Sequence, residues 1–272
     1  MFPENTVEGF LAAAALGVEA FELDVAMTAD GVVVVSHDAA LNPDITRDAS
    51  GAWLGRRGPT IHTVTWSELC AFDVGRIRPG SPASLLFPNQ VPHDGARIPT
   101  LANVLAALPT ARFTIEVKTD PAHTDWTAPP SVLTDATLSV IDRAGASARV
   151  VIESFDWRVQ RRVRRMRPDL RLAWLTRAET IRDAALWWDR PAPSGSVPAA
   201  VAQEGGPIWT PDHINLTQAQ VQEAHTLGLF VLPWTVNRPD EMTRLIAWGV
   251  DGLISDRPDL ALSLSDTAAL SL

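Results

Sequence analysis

Glu22 and Asp24 stand two positions apart in the apolar segment Phe21-Glu22-Leu23-Asp24-Val25-Ala26-Met27. Residues two apart on an extended strand share a face, so the two acids project together and Leu23 points away. The run continues through Thr28-Ala29-Asp30-Gly31, where Asp-Gly is a strong hairpin signal. A hairpin there returns His37 to roughly the level of Asp24. Further along, Phe113-Thr114-Ile115-Glu116-Val117-Lys118 repeats the logic, with Glu116 and Lys118 on one face and Val117 on the other. Acids on one face of an otherwise apolar strand are expensive to bury without a partner. Together Glu22, Asp24 and Glu116 would make a hard oxygen site suited to Mg²⁺ or Ca²⁺ rather than zinc, with His37 as a general acid/base beside it and Lys118 as a phosphate-binding cation. The chemically idle alternatives are a salt-bridged surface hairpin for the first stretch and a buried ion pair for the second.

These residues need a scaffold that brings strand ends together. Strand-like runs are expected at Ala20–Met27, Val32–His37, Phe113–Lys118, Val150–Phe155, Arg171–Leu175, Pro207–Thr210, Leu229–Val236 and Gly252–Ser255. Helical segments alternate with most of them, at Asn5–Leu16, Leu101–Leu108, Asp135–Ala144, Asp156–Met166, Ala178–Trp187, Thr217–Leu227 and Pro239–Trp248. That alternation predicts an α/β fold with a parallel sheet of βαβ units. Val32–His37 follows only a turn and is an antiparallel return, which leaves seven parallel strands, one fewer than a (β/α)₈ TIM-type barrel requires. The deficit is at the front, where the sequence passes from Met1-Phe2-Pro3-Glu4-Asn5-Thr6 straight into a helix. The stretch 41–98 and the shorter one at 190–207 are rich in Pro and Gly and read as loops on a single domain spanning 1–272.

At the end of a later strand, Trp234 could wall a small polar substrate or simply pack the core; Phe155 is a weaker case of the same choice. The histidines at 62, 93, 123, 213 and 225 show no ligand spacing and are expected in loop or surface roles. The formal net charge of −9 argues against nucleic acid and anionic membrane surfaces as general partners. A small anionic substrate would then rely on local cations or a metal. The single cysteine, Cys70, excludes an internal disulfide and has no neighbouring base to make it a nucleophile. No apolar run approaches the ~20 residues of a membrane span, and a cytoplasmic setting is expected.

Taken in order, Pro3-Glu4-Asn5-Thr6, Glu22-Leu23-Asp24, Thr28-Ala29-Asp30-Gly31 and Val34-Val35-Ser36-His37-Asp38 form one set of motifs with Glu116-Val117-Lys118 and Glu153-Ser154-Phe155-Asp156. Pro233-Trp234-Thr235-Val236-Asn237 and Gly249-Val250-Asp251-Gly252-Leu253-Ile254-Ser255-Asp256-Arg257-Pro258 complete it. This ordered set resembles the glycerophosphodiester phosphodiesterase family, whose fold is a (β/α)₈ barrel. The resemblance implies Glu22, Asp24 and Glu116 as divalent-metal ligands, His37 as one of two acid/base histidines and Lys118 as the lysine that holds phosphate. It also implies Phe155 and Trp234 as substrate-lining aromatics and Glu4 as an acid supporting the site from behind. The implied reaction is hydrolysis of a glycerophosphodiester, a small molecule, to glycerol 3-phosphate and an alcohol. The family's His-Arg-Gly segment, expected on the first barrel strand, has no counterpart before Pro3. That departure carries the alternative expectation of a barrel that binds phosphodiesters or metal without turning them over.

Overall fold

The computed structural model describes residues 1–265, which divide into two compact units, Met1–Val150 and Val151 onward. In the first unit the chain enters α1 (Val7–Ala15) and continues through β1 (Ala20–Met27), β2 (Val33–Val35), α2 (Trp66–Leu69) and α3 (Pro82–Leu86). It closes with α4 (Leu101–Ala107), β3 (Arg112–Val117) and α5 (Pro130–Arg143). No described residue before α1 is in a strand.

β1 is the hub of this unit. It pairs in parallel with β3 over six positions, from Ala20↔Arg112 to Val25↔Val117, and antiparallel with β2 at Val25↔Val35, Ala26↔Val34 and Met27↔Val33. The turn between β1 and β2 is the expected one. Gly31 takes φ 83°, Thr28 accepts from Gly31, and its hydroxyl donates to Asp30 at 2.6 Å. The expected strand Val32–His37 is observed as three residues; on its other edge Val35 donates to Pro99 and Val34 bridges to Thr100. The ladder still reaches Ser36, which donates to the Asp24 carbonyl at 2.9 Å.

The excursion at 41–98 is better organised than a loop. Leu41, Ile61, Leu69, Val74 and Ile98 bury themselves against Ala26 and Val34. Arg47 bridges Asp73 (2.7 Å) and Asp94 (2.6 Å), and Arg76 also grips Asp94 (2.7 Å). α2 begins with a capping box, Thr65 against Glu68. α3 was not expected; its signal is Ser81-Pro82, a cap followed by proline in the first turn. α5 likewise starts five residues earlier than its pattern suggested, at Pro130.

In the second unit the order is β4 (Val150–Glu153, starting at the boundary), α6 (Trp157–Met166), β5 (Arg171–Thr176), α7 (Ala178–Arg182), α8 (Ala184–Trp187) and α9 (Val197–Gln203). β6 (Ile208–Pro211), α10 (Gln218–Thr226), β7 (Phe230–Val231), α11 (Pro239–Ala247) and α12 (Pro258–Ser265) complete it. β4 through β7 pair consecutively and in parallel. The core is tryptophan-rich: Trp157 stacks on Trp188 with ring centres 3.9 Å apart and meets Trp174 edge-on at 4.9 Å. Two expectations fail here. The stretch 190–207 is not all loop, because Ser196 caps α9. Gly252–Ser255 is not a regular strand, although Ile254 donates to Pro233 and accepts from Val236. Pro233 has no N–H to give, so the ladder beside β7 breaks into single bonds.

The C-terminal carbonyls of α4 face inward and are met by one side chain. Arg149 donates to the carbonyls of Leu105 (2.9 Å), Leu108 (3.1 Å) and Ala111 (2.9 Å), and its guanidinium lies 5.4 Å from the Phe113 ring centre. Arg149→Met keeps the apolar stem but leaves those acceptors without a donor, and is expected to destabilise the protein by about 2–4 kcal/mol. Urea unfolding measures this; a loss below about 0.5 kcal/mol would show that water replaces the guanidinium freely.

Candidate active site

Register builds the acidic cluster. Asp24 lies directly opposite Glu116 in the β1–β3 ladder, and Glu22 is two residues back on the same face. Leu23 and Ile115, between them in sequence, are fully buried on the other face. The carboxylates of Glu22, Asp24 and Glu116 each bring an oxygen within 4.8 Å of the others, the one group among the described residues arranged so. Asp24 and Glu116 are only 4% and 7% exposed.

Lys118 sits one β-period beyond Glu116 and bridges the pair, with Nζ 3.0 Å from Asp24 Oδ1 and 2.9 Å from Glu116 Oε2. The charges divide unevenly. Burial works against ionised Asp24, but Lys118, His37 and the Asn5 amide hold its carboxyl below the ordinary range. Burial and the neighbouring Asp24 charge push Glu116 upward, only partly countered by Lys118. Lys118 is raised: burial opposes its charge, and Asp24, Glu116 and Glu22 overcome that.

Asn5, to which the sequence reading gave no role, holds Asp24 in place. Its Nδ2 donates to Asp24 Oδ2 at 2.9 Å, and its Oδ1 accepts from the Asp24 backbone N–H at 3.4 Å. It does so from φ 51°, a left-handed conformation that asparagine tolerates better than most residues. The turn is pinned from below: Thr6 caps α1 by accepting from Gly9, and its hydroxyl donates to Pro3. A Cβ on residue 9 would stand 2.1 Å from the Pro3 carbonyl oxygen, so only glycine lets the turn close. An asparagine directly before a capping threonine was the available signal.

His37 emerges just past β2. Its Nδ1 lies 3.0 Å from Asp38 Oδ1, and Asn42 donates to the other Asp38 oxygen at 2.8 Å. The ring is 57% exposed. The Asp38 hydrogen bond, helped by the charges of Asp24 and Glu4 and opposed by Lys118 and burial, pushes its pKa up to about 9. Asp38 is correspondingly lowered, chiefly by the same bond. Glu4 is exposed on the turn that carries Asn5.

Beside Lys118 and Asp38 lies a small recess walled by Trp126 and His62. Trp126 stacks on His123 (4.3 Å) and carries Arg57 5.1 Å from its ring centre. Nothing in its sequence surroundings marked it.

In the second unit, Phe155 and Trp234 pack edge-on with ring centres 5.5 Å apart. Arg177 lies 4.9 Å from the Phe155 ring centre, and Trp234 donates from Nε1 to the Thr210 carbonyl at 2.9 Å. One of the histidines expected in loop or surface roles lies in the turn after β6 and is buried there. His213 is 8% exposed, its Nδ1 lies 3.0 Å from the Trp234 carbonyl oxygen and its Nε2 3.3 Å from a Glu241 oxygen. His123 and His225 are exposed, as expected, and each lies against an acid, Asp120 and Asp251.

Residues 1–260 match the family model described as the glycerophosphoryl diester phosphodiesterase family. The Mycobacterium tuberculosis protein named probable glycerophosphodiester phosphodiesterase 2 is 32% identical over 95% of this chain and 83% of its own length. A Silicibacter pomeroyi crystal structure under the same family name superposes with a TM-score of 0.91 at 36% identity, covering 100% of this chain and 91% of that one. An Oleispira antarctica phosphodiesterase, solved in complex with the product sn-glycerol-3-phosphate, matches with a TM-score of 0.74 at 20% identity over 97% of this chain and 92% of that one. The chain belongs to the glycerophosphoryl diester phosphodiesterase family. Its members are TIM-barrel phosphoric diester hydrolases that depend on a divalent metal.

The Asn5 contacts carry a prediction of their own. Asn5→Ala removes both bonds to Asp24 and is expected to weaken divalent-cation affinity about 10-fold or more, read by isothermal titration with Mn²⁺. Unaltered affinity would reduce Asn5 to a helix-entry residue.

Proposed function

We propose that this chain hydrolyses glycerophosphodiesters to glycerol 3-phosphate and an alcohol, with Glu22, Asp24 and Glu116 holding Mg²⁺ or Ca²⁺ and His37 moving the proton. The observation that carries the reading is the convergence of three carboxylates on one strand face, next to a lysine and a histidine–aspartate pair. The donor set suits such an ion: all oxygen, two of the three acids buried, and more negative charge than Lys118 alone offsets. A bound cation would neutralise phosphate charge and activate the attacking oxygen.

The chain's own groups do the rest. Lys118, raised and fixed between Asp24 and Glu116, presents a permanent positive charge to a phosphate oxygen. Asp38 holds His37 by Nδ1, which leaves Nε2–H to point outward. As the bond from phosphorus to the alcohol oxygen breaks, that proton passes to the leaving oxygen. This serves whether the incoming oxygen belongs to water or to the substrate's own 2-hydroxyl. Phe155 and Trp234 keep the substrate-lining role that the family resemblance implies; their tight edge-on packing supports a preformed aromatic surface. Glu4 retains a place near His37, whose charge it feels. The family match runs through both compact units, which supports a single functional domain. Among the described residues no helix is long and apolar enough to cross a membrane.

The binding-only alternative is not favoured, because the relatives carry enzyme names. Release of glycerol 3-phosphate from glycerophosphocholine with Mg²⁺ or Ca²⁺, and its loss on chelation, decides between them. Cation binding without any turnover would overturn the hydrolase reading. Glu22→Gln and Glu116→Gln are expected to abolish metal-dependent turnover with the fold intact by circular dichroism. His37→Ala should cost roughly 10²–10⁴ in kcat while titrated cation binding survives.

The pH dependence follows in sign from the His37–Asp38 pair. With its pKa raised to about 9, His37 is the protonated acid below that pH and loses the proton above it, so the rate falls on the alkaline side. Asp38→Asn removes the largest cause of the rise and should move that alkaline limb to lower pH. A limb that stays put would assign the proton donor elsewhere.

A further inference from the structure

His213 is a buried titratable side chain that the reaction above does not use. It lies in the turn after β6, at the carboxyl end of that strand, where barrel folds place their functional groups. Beyond β7 the ladder is broken at Pro233, and Trp234 is held by single bonds to the segment 210–213. Its backbone N–H donates to the Pro211 carbonyl at 3.1 Å, and its indole Nε1 donates to the Thr210 carbonyl at 2.9 Å. Its own carbonyl meets His213 twice, at the backbone N–H (3.0 Å) and at Nδ1 of the ring (3.0 Å). A carbonyl oxygen only accepts, so Nδ1 carries a hydrogen and donates it. On the other side of the ring, Nε2 lies 3.3 Å from a Glu241 oxygen on α11.

We propose that His213 is a positioning residue: through the Trp234 carbonyl it sets the angle of the indole against Phe155, and so the shape of the aromatic surface that receives substrate. The proposal rests on the reading above of Phe155 and Trp234 as substrate-lining residues. With its main chain tied at both the N–H and the carbonyl, and its ring tied at Nε1, the Trp234 side chain has little freedom to turn. Phe155 meets that indole edge-on, with an interplanar angle of 78°, and edge-to-face packing depends on ring angle. A small rotation of Trp234 is therefore felt by Phe155, and by Arg177, which lies 4.9 Å from the Phe155 ring centre. A histidine that merely joined α11 to the sheet would need Nε2 and its Glu241 contact. Positioning of Trp234 needs Nδ1. The two roles use different nitrogens, so substitution can separate them.

Asparagine places an amide N–H close to where Nδ1–H stood, whereas glutamine places one nearer to Nε2. Both keep a hydrogen-bonding group in the buried position, so the fold is expected to survive, as circular dichroism checks. The full chain is assayed with glycerophosphocholine and Mg²⁺ or Ca²⁺. His213→Gln is expected to raise KM about tenfold, the scale of one lost hydrogen bond, with kcat within about twofold of the parent. His213→Asn should keep KM within about threefold of the parent, because the donor to the Trp234 carbonyl is restored. Equal performance of the two variants overturns the proposal and leaves the hydrolase reading in place. A second measurement needs no turnover. In protein carrying ¹⁵N-labelled tryptophan, the Trp234 indole N–H signal is assigned by its disappearance in Trp234→Phe. It should hold its position in His213→Asn and shift or split in His213→Gln. A signal unchanged from the parent in both variants overturns the proposal. Absence of hydrolysis by the parent would count against the hydrolase reading instead, and the indole signal would still decide whether His213 sets Trp234.

Discussion

Everything in the first unit is arranged around the cost of placing like charges together away from water. Asp24 and Glu116 face each other across one rung of a parallel ladder, nearly buried, with Glu22 close behind. Two carboxylates in such a place cannot both ionise unless positive charge stands next to them. Lys118 supplies one charge at hydrogen-bond distance from each. One ammonium cannot neutralise both acids, so the pair keeps negative charge. A cluster with residual negative charge and all-oxygen donors is what a hard divalent cation requires, so the electrostatic problem and the catalytic need have one solution.

Holding such a cluster in place takes rigid surroundings, and three devices provide them. The parallel β1–β3 register puts Asp24 and Glu116 opposite each other, and a one-residue slip of β1 would send Asp24 into the core that Leu23 now fills. The hairpin returns His37 to the level of Asp24 at no more cost than a four-residue turn. The Asn5 turn fixes the Asp24 carboxylate from the third side, and depends in turn on the absence of a side chain at Gly9. The hairpin is local in sequence, while the β1–β3 pairing joins segments more than ninety positions apart.

That difference explains what could be read from the sequence. Period-two patterning exposed Glu22 with Asp24 and Glu116 with Lys118, because side-chain direction along a strand is a matter of counting. The same counting placed the turn at Asp30-Gly31 and the return of His37. Asn5 escaped because its role depends on a left-handed backbone and a partner nineteen positions away. Trp126 and His213 escaped because burial and stacking partners come from tertiary packing, which leaves no periodic mark. The excursion at 41–98 looked irregular for a related reason. Its core of Leu41, Ile61, Leu69, Val74 and Ile98 is assembled from scattered positions, and its ion pairs link Arg47 to residues 26 and 47 positions ahead. The strand expected at Gly252–Ser255 shows the converse error: apolar composition was present, but the proline in the adjoining segment removed a donor that the ladder needed.

The net charge of −9 sharpens the last step. An acidic protein repels an anionic phosphodiester at long range, but at physiological ionic strength that repulsion is screened within about 8 Å. Inside that radius the sign is decided by a few groups. Lys118 remains protonated at any working pH, and His37 is protonated below about 9. Neither alone balances three carboxylates. The phosphate meets a favourable field only once the acids are themselves neutralised, so ligand binding and cation binding are coupled on this face. On that reading, phosphate is drawn by charge that the protein must first acquire.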